Sequence, residues 1–189
     1  MKLSMGTRSI LFGVHQFLLH PIFIALAWWK LYGFPFDPRL WVAFIVHDLG
    51  YWGKPNMDGP EGETHVYWGA EFMEEWFGIG WGNFCRYHSR FIAKSDGRQF
   101  SRLCVADKYL ICIMPSCLYL FLARASGELY EYMRGAGGRT PAGGPGKYHH
   151  MGIRTGTEYQ WMDDVKAYLR EWVSIHQDGR PDTRTGVKR

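Results

Sequence analysis

Three apolar runs in this sequence carry ionisable residues where a core helix tolerates them poorly. FLLHPIFIALAWW, Phe17 to Trp29, contains His20. AFIVHDLG, Ala43 to Gly50, closes an apolar stretch on His47 and Asp48. CVADKY, Cys104 to Tyr109, sets Asp107 inside a long apolar helix. Desolvating an imidazole or a carboxylate is costly unless the group is paired or liganded. Such placement is worthwhile only where the side chains have something to bind.

The rest of the chain reads as helix. Ile10 to Leu31 predicts one or two helices, with Pro21 near a helix start. Asp37 is placed to cap a helix from Pro38 to His47. GKPNMDGPEGE, Gly53 to Glu63, is a loop by its glycine and proline content. Thr64 is expected to cap a helix from His65 to Phe77, and GIGWG, Gly78 to Gly82, to turn the chain into a helix over Asn83 to Ala93. SDGRQ, Ser95 to Gln99, is a turn. Ser101 is expected to open a helix reaching Pro115, followed by another from Ser116 to Arg134. Gly/Pro-rich sequence, Gly135 to Lys147, is too long for an ordinary connection and reads as a lid or binding loop. The last helix, Thr157 to His176, carries Tyr159, Met162, Val165, Leu169 and Trp172 at helical spacing. No stretch shows a convincing period of two, so the expected fold is all-α. The expected organisation is a helical domain over 1–134, a loop or lid over 135–156, and a C-terminal helix with a basic tail, 157–189, packed on the same domain.

Within this pattern the ionisable residues recur on different helices or at helix ends: His20, His47 and Asp48, His65, His88 in RYHSR (read as mid-helix), and Asp107. Imidazole and carboxylate together suit Fe, Mn, Zn or Co. Six such ligands are enough for two metals sharing a bridging carboxylate. His149 and His150, beside Lys147, look ligand-like but read better as an exposed loop pair.

The set H…HD…H…H…D, with HDLG at the pair, HVYWGA at His65 and CVADK at Asp107, resembles the HD-domain superfamily over about Val14 to Leu122. These are all-α metal enzymes, mostly phosphohydrolases. The resemblance implies an HD-domain helical bundle, with Asp48 bridging two ions, Asp107 completing the first site, and His65 and His88 the histidines of the dinuclear branch. The first histidine is either His15 or His20. Ile24 and Ala25, four and five residues after His20, favour His20. The chain departs from the family in two places. The usual HDIGK lysine is displaced to Lys54, and the GYP motif of the cyclic-di-GMP branch is absent.

The expectation that follows is a metal-dependent phosphohydrolase using two divalent ions, Fe or Mn, with Zn, Co or Ni as alternatives. It would act on a small phosphorylated or nucleotide substrate. Asp48 would sit at the reacting centre, with Lys54, Arg90 and Lys108 as the cations that hold phosphate. Arg90 is favoured because guanidinium matches phosphate oxygens two at a time. Asp58, Glu61 or Glu63 would protonate the leaving group, and Tyr51 or Trp52 could line the pocket. The alternatives are a di-iron HD-domain oxygenase cleaving a C–C or C–P bond with O2, and a non-catalytic helical binding module.

Bulk composition narrows the partners. The hydrophobic fraction is 47% and the aromatic fraction 17%, enough for one sizeable core. A net charge of +4 suits an anionic substrate, but no Lys/Arg run reads as a nucleic-acid arm. The four cysteines form no CxxC pair and read as reduced thiols of a cytoplasmic protein. Phe17 to Trp29 falls short of a membrane span, and Tyr109 to Ala125 is interrupted by Pro115 and Ser116. No membrane span is expected. A homodimer through aromatics of the last helix is compatible with this pattern.

Overall fold

The computed structural model describes residues 3–137 and 148–177. Among these the chain is helical, with no strand. In order the helices are α1 (Met5–Phe12), α2 (Leu19–Tyr32), α3 (Pro38–Val46), α4 (Val66–Phe77), α5 (Ile79–Arg86), α6 (Arg90–Ser95), α7 (Arg102–Ile113), α8 (Ser116–Ser126), α9 (Glu128–Gly137) and α10 (Glu158–His176). Single 3₁₀ turns lie at Leu49–Tyr51, Gly62–His65 and His149–Met151.

Local chemistry explains most boundaries. Asp37 accepts a hydrogen bond from the Arg39 amide with Pro38 at the first helical position, as expected for α3. The Thr157 side chain caps α10 by accepting from the Gln160 amide. Five expectations need correction. The predicted helix over Asn83 to Ala93 is two helices, because the Ser89 hydroxyl accepts from the Ile92 amide and starts α6. His88 therefore sits in the break, not mid-helix. Only Gly78 turns the chain before α5, at φ 88°, so Ile79 to Gly82 are already helical. The predicted Ser116 to Arg134 helix is divided at Gly127, whose φ of 94° ends α8. Thr64 does not cap α4: its hydroxyl donates to the Glu61 carbonyl, and α4 starts from the 3₁₀ turn. Gly135 to Gly137, assigned to the loop, extend α9; residues 138–147 of that loop and 178–189 of the basic tail lie outside the described residues.

The core draws on α2, α3, α4, α7 and α8. Ile24, Ala27, Phe44, Met73, Leu103, Ala106 and Leu120 are fully or almost fully buried there. Each large side chain among them contributes about 1.5–3 kcal/mol by leaving water. Packing of α2 on α7 brings His20 and Asp107 to one end of this core, and α10 packs along α7 as the C-terminal element. The cysteines are free thiols, with Cys85, Cys104 and Cys112 buried and Cys117 exposed. No single described helix is long and apolar enough to cross a membrane.

Candidate metal centre

Two motif glycines set the geometry. A Cβ on Gly50, the glycine of HDLG, would stand 1.9 Å from the His65 carbonyl oxygen. A Cβ on Gly69, in HVYWGA, would stand 2.7 Å from the Val46 carbonyl oxygen and 2.9 Å from His47 Cα. Neither contact is sterically allowed, so these positions require glycine if α4 and its leading turn are to lie directly against the end of α3. That approach puts His65 beside Asp48.

The six expected ligands converge. None is more than 8% exposed. His20, His47, Asp48 and Asp107 form one group and Asp48, His65 and His88 another; within each, the ligand atoms lie within 4.8 Å of one another. Asp48 belongs to both and divides its oxygens between them. Oδ2 is 3.0 Å from His20 Nε2 and 3.2 Å from His47 Nε2. Oδ1 is 3.2 Å from His88 Nε2 and 3.5 Å from His65 Nε2. Asp107 Oδ1 lies 3.5 Å from His20 Nε2.

The outward faces of the rings decide which nitrogen points inward. His47 Nδ1 donates to the Phe44 carbonyl at 3.1 Å, His65 Nδ1 to Gly62 at 2.7 Å, and His88 Nδ1 to Cys85 at 2.5 Å. Each partner lies three residues earlier, in a 3₁₀ turn or at a helix C-terminus where carbonyls lack intrahelical donors. A carbonyl only accepts, so Nδ1 carries the proton and a neutral ring turns its Nε2 lone pair inward. His65 is held further by Tyr51, whose ring stacks on it at 3.9 Å.

The donor set fits a metal. His65 Nε2 and His88 Nε2 approach to 3.0 Å, and His20 Nε2 and His47 Nε2 to 3.4 Å. Lone pairs and carboxylate oxygens at these separations repel unless a cation lies among them. Asp48 Oδ2 is buried without a well-directed hydrogen bond. Burial pushes the His65 imidazolium down, which favours the neutral ring that can ligate. Burial opposes Asp107's ionisation, but Lys108 holds its carboxyl below the ordinary range through a 2.8 Å contact.

His15 is not in either group. Its Nδ1 bonds Glu128 Oε2 at 3.0 Å and Ser9 Oγ at 2.9 Å, and Glu128 also accepts from the Ser126 and Tyr132 hydroxyls. The first histidine of the set is therefore His20. Glu128, fully buried in LARASGELY, was missed by sequence reasoning.

Of the expected cations, Arg90 and Lys108 face the site cavity and Lys54 does not. Lys54 Nζ donates to Thr64 Oγ1 at 2.6 Å, because its three-residue displacement carries it past the 3₁₀ turn and beyond the metal ligands. The Arg90 guanidinium lies 4.7 Å over the Trp172 ring. Asp58 and Glu63 line the cavity, whereas Glu61 accepts from the Asn56 amide. Tyr51 also lines it, but Trp52 is 61% exposed and lies outside. His150 reaches the cavity edge. No family model matches the sequence, and neither the curated proteins nor the solved structures contain a match.

Proposed function

We propose that this chain is a metal-dependent phosphohydrolase with a dinuclear centre bridged by Asp48, acting on a small phosphorylated substrate. The observation that carries the reading is the division of the Asp48 carboxylate between two histidine groups, one oxygen to each. The HD-domain resemblance of the same residues supports it. His20, His47, Asp48 and Asp107 would hold one ion, and Asp48, His65 and His88 the other. Mixed nitrogen and oxygen ligands suit Fe or Mn first, with Zn, Co or Ni compatible. A pair of such ions supplies Lewis acidity and a water of lowered pKa.

The chain's own residues have complementary parts. Lys108 reaches the cavity while paired to Asp107, so one side chain both orients a ligand and presents positive charge to a phosphate. Arg90, stacked on Trp172, offers a planar donor array on the same wall. Asp58 and Glu63, which line the cavity, would supply the proton to a leaving-group oxygen. Free, mostly buried thiols suit a reducing compartment such as the cytoplasm.

Metal analysis of protein purified without added metal, followed by phosphate release from p-nitrophenyl phosphate and bis-p-nitrophenyl phosphate, tests this reading. About two ions per chain with phosphate release lost in Asp48→Ala is the expected result. Turnover retained in Asp48→Ala overturns the scheme. Iron with O2 uptake and no phosphate release transfers the same ligands to the oxygenase reading.

A further inference from the structure

The metal-side cavity, about 360 Å³, does not end at the ligands. It continues into a second chamber of about 190 Å³; both are lined by His15, Tyr51, Arg90, Asp107 and Lys108, and His20 also lines the second. The far wall of this chamber is different in kind. Leu110 and Ile111 from α7, Tyr119 from α8, and Trp161, Val165 and Leu169 from α10 form it. Val165 and Leu169 of the α10 apolar stripe thus face a space as well as a neighbouring helix.

We propose that this chamber is a specificity pocket for a compact apolar group, an aryl or short alkyl substituent, carried by the anionic head that Arg90 and Lys108 receive. The polar end of the passage and its apolar end are adjacent, so one small molecule spans both. A cavity of about 150 Å³ accommodates benzene, and this one is of that order. Of the tyrosines that line the chamber, Tyr132 is committed to Glu128. The head-group half of this inference rests on the phosphohydrolase reading; the apolar half does not.

The test compares methylphosphonate and phenylphosphonate, titrated calorimetrically into Mn-loaded protein. Phenylphosphonate is expected to bind about 10- to 100-fold more tightly, the gain from burying one ring. Val165→Phe, or Ile111→Phe if the first variant fails to fold, fills the chamber and should bring the ratio to within about threefold. A wild-type ratio near one overturns the proposal and leaves the metal reading intact. A large ratio unchanged in the filled variant also overturns it, since the ring then binds elsewhere. If neither phosphonate binds, the head-group reading fails, and fluorobenzene binding to metal-free protein, followed by fluorine NMR, decides the chamber alone. Saturable binding lost in Val165→Phe supports the pocket, and no binding overturns it.

Discussion

His65 Nε2 and His88 Nε2 stand 3.0 Å apart, while the opposite nitrogen of each ring donates to a main-chain carbonyl three residues earlier. Two imidazoles so anchored meet Nε2 to Nε2, with Asp48 Oδ1 beside them. The turns aim both Nε2 atoms at one point, where a bound cation would offset their repulsion. Metal binding should relieve that repulsion, so chelation should lower stability by several kcal/mol at micromolar free metal. Thermal unfolding with and without EDTA checks it; an unchanged midpoint contradicts it.

The two groups are separable except at Asp48. His88→Ala should reduce metal content from about two ions to about one, whereas Asp48→Asn should deplete both, because the bridging oxygens belong to both groups. Elemental analysis of the two variants beside wild type gives the answer. Equal losses in both would argue against a shared carboxylate.

Gly50 and Gly69 should be intolerant of even one methyl group. Gly69→Ala is expected to cost about 1–3 kcal/mol, with Gly50→Ala more damaging because the intruding Cβ is closer to backbone. Both should weaken metal retention by displacing His65 from Asp48. Gly53→Ala is the control. Its Cβ would meet nothing within 4 Å, so only the positive φ of 82° is penalised, and metal retention should persist. Urea titrations with parallel metal analysis distinguish the cases.

The His15–Glu128 pair should make the metal-free protein sensitive to alkali. Burial pulls the His15 imidazolium down, but Glu128 outweighs it and raises the group from 6.5 to about 9. A raised folded-state value means the contribution is full below about 6.5 and is lost as pH rises through about 9. Stability of chelated protein should therefore fall between these values, and Glu128→Gln should flatten the fall while costing about 3–5 kcal/mol near neutrality. Denaturant melts across this range measure both effects.

Lys108 and Lys54 should part company. Lys108→Gln removes a cavity cation and the partner of Asp107, so methylphosphonate affinity should drop about tenfold. Lys54→Gln breaks only the hydrogen bond to Thr64 and should change affinity less than about twofold. Calorimetric titration of the two variants settles the comparison; equal losses would return Lys54 to the site.

Sequence signals carry the helical class, the α3 cap and the identity of the six converging residues. Those signals are local: a capping aspartate before proline, a period near 3.6, an ionisable side chain among apolar neighbours. The sequence did not reveal that Glu128 is the partner of His15, that Lys54 turns away from the site to Thr64, or that α10 contributes to the apolar wall of a chamber opening on Arg90 and Lys108. Each of these depends on which helices meet. Contacts between α7 and α10 join residues more than 40 positions apart, and their register is set by side-chain packing across the core, which no short window of sequence contains. Even the histidine tautomers follow this division. The carbonyl three residues back is local, but the reason its ring faces Asp48 is the close approach that Gly50 and Gly69 allow.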